Sequence, residues 1–194
     1  MAKDDSGTTN TVSPLFVANA TASGEESMGG FRKTVLVGGL AVVLASAGPA
    51  PALEMRPILT LDVARKIVDG CLTKAQQQGW KMHIAVLDIG GNLKAFVRMD
   101  DAQLISEEVA MRKAYTAAAL PRSTRETADL AYSNPERRPG GIAFLPRVAV
   151  IQGGLPIMTG GGVHIGGVGA SGSTAQNDEA CAQVGLDAVK DDLK

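Results

Sequence analysis

From Leu59 onward the chain alternates between two hydrophobic periods. Leu61, Ala64, Ile67 and Val68, Cys71 and Leu72, then Ala75 recur at i, i+3, i+4, which predicts a helix over LDVARKIVDGCLTKAQQQ with Thr60 as cap and Gly79 as stop. Two short apolar runs follow, KMHIAVLD and LKAFVRMD. Ile89-Gly90-Gly91-Asn92 joins them, and Gly-Gly-Asn permits positive φ, so the pair reads as a hairpin ended by Asp100 and Asp101. Ser106 is expected to start a helix over SEEVAMRKAYTAAAL, with Glu107 and Glu108 before Arg112 and Lys113, the charge order that suits the helix dipole. Pro121 ends it, and Ser123-x-x-Glu126 forms a capping box for a short helix, STRETADLAY.

SNPERRPGG reads as a loop. RVAVIQ is expected to be a strand and VHIGGVGAS another, with TGGG as the turn, while Gly-Gly-Leu-Pro at 153–156 fits a strand breaking off into a bend. Ser173 or Thr174 caps a last helix over TAQNDEACAQVGLDAVK. Helix, two strands, two helices, two or more strands, helix: with a close hairpin, this order predicts an α+β class and a largely antiparallel central sheet flanked by helices.

Residues 151–173 hold nine glycines, and Gly167-Val168-Gly169-Ala170-Ser171-Gly172 spells G-x-G-x-x-G. A dinucleotide loop needs a further strand with an acidic residue ~20 positions on. Only twenty-two residues follow Gly172, so no βαβ unit can close. Glycines here let another backbone, a ligand plane or a neighbouring subunit approach closely, or let the final helix pack tightly on the sheet.

Before Leu59 the character changes. Residues 1–27 are small and polar with no apolar period. Arg32 and Lys33 then precede an uncharged run from Thr34 to Ala47, and Ala50-Pro51-Ala52 supplies an A-x-A site, the parts of a secretory signal peptide. The expected organisation is a disordered lead and signal over 1–52 and one domain over 53–194, periplasmic or secreted, with no stable membrane span after processing. That domain carries sixteen basic and sixteen acidic residues. With no basic excess and few aromatics, nucleic acid is excluded as a partner. Cys71 and Cys181 form no C-x-x-C pair, so no zinc site is indicated; they read as two small buried thiols, with one disulfide as the alternative.

Four segments in order, IAVLDIGGNLKAFVRMDDA, RKAYTAA on a helix, IQGGLPI and GGVGASGSTAQNDEACA, resemble the GlcG/HbpS-type haem-binding family, which also supplies the C-terminal domain of PduO-type corrinoid adenosyltransferases. The resemblance spans roughly Leu59 to Lys190. It implies an α+β fold, a homo-oligomer, and haem as cofactor, with haem degradation or redox sensing as activities of exported members. Asn92 departs from the family, many members of which have His in the hairpin turn.

Two histidines are available. His164, within the glycine-rich stretch, is the candidate iron ligand. His83 lies on a strand with two apolar faces and reads as a core histidine or a cofactor contact. Met99 and Met158 are soft donors that more often fill cores. Arg98 and Arg112 could pair with propionates or a substrate carboxylate, and Gly153 and Gly154 leave room for a cofactor. The resemblance places the Lys113 helix near the ligand pocket. The rival reading is a catabolic enzyme on a small carboxylated metabolite, with Lys113, Asp88 or His164 moving a proton. Asp178 and Glu179 read as helix caps, or less simply as an acid–base pair.

Overall fold

The computed structural model describes residues 55–137 and 139–194; the expected lead and signal peptide lie outside the described residues. Four helices, α1 (Leu61–Gln78), α2 (Leu104–Ala119), α3 (Thr124–Tyr132) and α4 (Ala175–Asp187), surround one sheet of β1 (His83–Asp88), β2 (Leu93–Arg98), β3 (Gly154–Met158) and β4 (His164–Ser171). The sheet order is β2-β1-β4-β3, with every neighbouring pair antiparallel, as the α+β reading expected.

The caps follow the local chemistry. Thr60 Oγ accepts from the Val63 amide, and Gly79 closes α1 at φ 69°. Ser123 and Glu126 complete the capping box of α3 in both directions, and Thr174 caps α4. Helix α2 begins two residues earlier than expected, at Leu104, with Gln103 as a cap that makes no side-chain bond; Ser106 is therefore inside the helix and 4% exposed.

Strand β1 is central and buried on both faces. Ile84 and Val86 join Ile67, Val68, Met82, Ile157 and Val168 in the core beneath α1 and α4. Ala85 and Leu87 point the other way, to Ala114 and Ala118 of α2, with Phe96, Met111 and Tyr115 at the margin.

Two expectations are corrected. RVAVIQ is irregular, and the strand is GLPIM at 154–158. Pro156 lacks an N–H, but β3 is the sheet edge, where one side of the strand needs no partner. The irregular segment is held instead from α2: Thr116 Oγ1 accepts from the Ala149 amide at 2.8 Å. The second correction concerns the cysteines, which form a disulfide, Cys71–Cys181, joining α1 to α4. The two helices lie side by side on one face of the sheet, so thiols 110 residues apart in sequence meet with a Cα–Cα distance of 4.6 Å.

The glycines of β4 answer to packing. A Cβ on Gly167 or Gly169 would run into the α2 backbone at Ala110, Ala114 and Ala118. Their bareness lets the helix axis settle directly on the strand.

The disulfide closes a loop of about 110 residues and so restricts the unfolded chain strongly. The double variant Cys71→Ala/Cys181→Ala is expected to lose about 2–5 kcal/mol of unfolding free energy, measured by guanidinium titration under non-reducing conditions. An unchanged midpoint would show that the bridge carries no stability.

Candidate functional site

The close seating of α2 carries Lys113 inward, against the sheet. Its side chain is 1% exposed, and Nζ donates to Asp178 Oδ2 at 2.7 Å and to the Ala170 carbonyl at 3.0 Å. Asp178 sits in the first turn of α4 and its other oxygen accepts from the Ser173 amide at 3.0 Å, with the Gly172 amide also directed at the carboxylate. Burial pulls the lysine below its ordinary range and raises the aspartate, while each partner's charge opposes the other's shift. At 2.7 Å, with a backbone carbonyl and backbone amides as further partners, the two groups depend on each other.

Gly153 and Gly154 belong to this site. Gly153 has φ 125°, and a Cβ there would come within 2.6 Å of Lys113 Nζ. The Gly154 amide donates to Thr124 Oγ1 at 2.9 Å, tying β3 to the start of α3. Beside the ion pair opens a cavity of about 520 Å³ lined by Ser106, Val109, Ile151, Ser171 and Ala175 together with Lys113 and Asp178.

His83 is fully buried, and neither ring nitrogen has a hydrogen-bond partner among the described residues. It is a core histidine, as one reading had it, but not a satisfied one. Its neighbour across the ladder is Ser171, a lining residue of the cavity, and its ring lies 5.9 Å from Phe96. Burial pushes its pKa down, with Glu107 opposing and Arg98 adding to the shift.

A second constellation forms at the last turns of α2. His164 is half-buried, and Nε2 lies 2.9 Å from both the Ala117 and Gly166 carbonyls. Two acceptors fix the proton on Nε2, so the Nδ1 lone pair is the one left for a ligand. Thr116, Ala119 and Leu120 of the same turns border an apolar cavity of about 440 Å³ closed by Ile142, Leu145 and Val148. At its rim the Arg147 guanidinium stacks 3.8 Å over the Tyr115 ring. Sequence patterning missed Tyr115 and Arg147, since the loop that brings Arg147 to α2 has no periodicity.

The remaining candidates lie elsewhere. Asp88 Oδ1 accepts from the Gly90 and Asn92 amides at 2.9 and 3.0 Å and from Asn92 Nδ2 at 3.1 Å, which makes it the bracket of the hairpin turn. Met99 packs on the main core, where its sulfur accepts from the Met82 amide. Met158 is a half-buried residue at the end of β3. Arg98 is exposed at the end of β2, and Arg112 pairs on the outer face of α2 with Glu108 at 2.6 Å. Glu179 lies 3.4 Å from Arg125, and its charge also bears on Lys113 without a direct bond to it. Among the described residues no cluster of three or more His, Cys, Asp or Glu could hold a metal ion, and no helix is long and apolar enough to cross a membrane.

An antiparallel α+β domain with a helix pressed on a glycine-rich strand, a buried lysine–aspartate pair, and an apolar pocket and a histidine at the last turns of one helix has the parts of a small ligand-binding module. Residues 59–187 match the family described as haem degrading protein HbpS-like, and the chain belongs to that family. It is 34% identical over 129 residues to a 15.0 kDa protein of the dhaT-dhaS intergenic region of Citrobacter freundii, covering 66% of this chain and 90% of that one. It is 33% identical to GlcG of Escherichia coli K12, over 61% of this chain and 85% of that protein. It spans only 44% of the corrinoid adenosyltransferase PduO of Salmonella typhimurium, at 29% identity. Among solved structures, Klebsiella pneumoniae ORFY superposes with a TM-score of 0.66 at 29% identity, over 73% of this chain and 97% of that one. The PduOC haem complex superposes with a TM-score of 0.63 at 28% identity, over 68% of this chain and 95% of that one.

Two outcomes are expected here. Lys113→Met strands the Asp178 charge in the interior and is expected to destabilise the chain by about 3–5 kcal/mol. Lys113→Met/Asp178→Asn, which retains an acceptor for Ser173, recovers most of that in a denaturation double-mutant cycle; additive losses would show that the two groups are uncoupled. For His83 the folded pKa lies below the unfolded value of about 6.5, so the unfolded chain binds the extra proton. Stability is intact above that pH and falls as the pH drops below it. His83→Leu should show a shallower decline in melting temperature between pH 7.5 and about 5.5; parallel curves would place the titration elsewhere.

Proposed function

We propose that the chain is an exported haem-binding protein. The observation that carries the reading is the His164 ring at the start of β4, whose Nε2 is committed to the Ala117 and Gly166 carbonyls, which leaves Nδ1 as the nitrogen for a ligand; Thr116, Ala119 and Leu120 of the helix turns it bonds to border the apolar cavity. That arrangement is the one in which a second hydrogen bond fixes the tautomer of a metal-binding imidazole. An apolar wall and a rim arginine suit a flat macrocycle with acidic side groups, so the residues present fit haem. His164 would hold the iron, and Arg147 would pair with a propionate. When bound, haem supplies the iron chemistry; the protein's groups orient it and keep water from one face.

Family membership and the likeness to a haem complex support the same reading. Haem degradation or redox sensing, and assembly with further copies of the chain, are its finer parts. The second is supported by Leu104, Ile105 and Phe144, each a large apolar side chain that is well exposed. Export is supported by the basic and apolar pattern of residues 32–52 and by the disulfide, a bond that persists in oxidising compartments.

A haemin titration of the chain from Leu53, followed at the Soret band, tests the proposal. Saturable binding is expected, weakened about 10-fold or more by His164→Ala and unchanged by His83→Ala. Loss of the Soret band with iron release under ascorbate would mark degradation, and light scattering on the same samples reports assembly. A curve that never saturates, or is indifferent to His164, overturns the haem reading.

A further inference from the structure

The cavity beside Lys113 holds a surplus of hydrogen-bond donors. Of the three ammonium hydrogens of Lys113, two are directed at Asp178 and the Ala170 carbonyl, and the third has no acceptor among the described residues. Ser106 and Ser171 line the same space, are 4% and 7% exposed, and their hydroxyls make no hydrogen bond among the described residues. The fourth donor is backbone. Ala175 is the first residue of α4, so its N–H has no acceptor within the helix, and it too borders the cavity. The thirteen-residue α4 adds the positive end of its dipole.

The one carboxylate that lines the cavity is already used. Both Asp178 oxygens are taken, by Lys113 on one side and by the Ser173 amide on the other, with the Gly172 amide added. Glu179 also bears on Lys113 but does not line the cavity, so within the lining the donors face no free carboxylate. Four donors converging on one space of about 520 Å³ suit a ligand rich in acceptors.

We propose that this cavity is a binding site for a small organic carboxylate bearing a second oxygen function. Its carboxylate is held by Lys113 Nζ and the α4 N-terminus, and its hydroxyl or carbonyl by Ser106 and Ser171. The site is separate from the haem pocket, shares no lining residue with it, and does not depend on haem binding.

The test uses the full, haem-free chain labelled with ¹⁵N, in buffer free of other carboxylates. It is titrated with lactate and, separately, with lactamide, the uncharged analogue of the same shape. The expected result is saturable shifts of the Ser106, Ser171, Gly172 and Ala175 amides by lactate, with lactamide bound at least ~10-fold more weakly. Because Lys113 variants perturb the fold, the discriminating variant is Ser106→Ala/Ser171→Ala, which leaves the ion pair intact and should weaken lactate about 5-fold or more. Equal response to both probes, shifts confined to other regions, no saturable response, or indifference to the serine substitutions would each overturn the proposal. Haemin binding by the same chain is untouched by any of these results, so the two readings fail separately.

Discussion

Everything else in the domain depends on how near α2 lies to β4. Residues 167 and 169 have no side chains, so the helix backbone and the strand meet with only small groups between them, and Ala110, Ala114 and Ala118 supply the matching thin face of the helix. Had either side carried a leucine, α2 would ride higher by the thickness of a side chain. Lys113 would then fall short of Ala170 and Asp178, and the His164 ring would lose the Ala117 carbonyl. One packing contact thus sets the geometry at both ends of the helix.

The lysine so placed is an unusual resident of a core. Taking two charges out of water is unfavourable by several kcal/mol per ion, and the attraction between them returns that only with good geometry and further hydrogen bonds. Here the further bonds are supplied by backbone: a carbonyl of β4 for the lysine, and amides between β4 and α4 for the aspartate. The pair therefore stitches three elements together while leaving polar capacity directed outward. His83 shows the opposite case, a ring enclosed with neither nitrogen paired among the described residues, on the same face of the sheet as Ser171.

Much of this was legible from residues alone, and the misses have physical causes. The amphipathic period of α1, the Gly-Gly-Asn hairpin and the Ser123–Glu126 box are local signals, and each formed where patterning put it. RVAVIQ has a strand's composition, yet Arg147 adopts φ 68° and the segment is held by Thr116, a tertiary contact that no window of sequence contains. GLPIM was obscured by its proline, tolerated because the strand is at an edge. At the site, resemblance put the Lys113 helix near a ligand pocket, but that Gly153 lies against Lys113 is set by the fold. Asp178 read as a cap because its other role is set by a residue 65 positions away. Asp88 looked chemically promising for the same reason it is occupied: a carboxylate before Gly-Gly-Asn is what a turn uses.

The bond between Cys71 and Cys181 has a mechanical consequence. Those residues sit in the first and last helices, so the whole sheet, with α2 and α3, lies inside one covalent ring. A pull applied to the two ends of the chain is carried from α1 to α4 through the sulfurs, and the strands are never in the line of force. Only the lengths before Cys71 and after Cys181 can be drawn out. Whatever the chain is tethered to at its beginning, tension there loads the outer helices and leaves the sheet and both cavities in place.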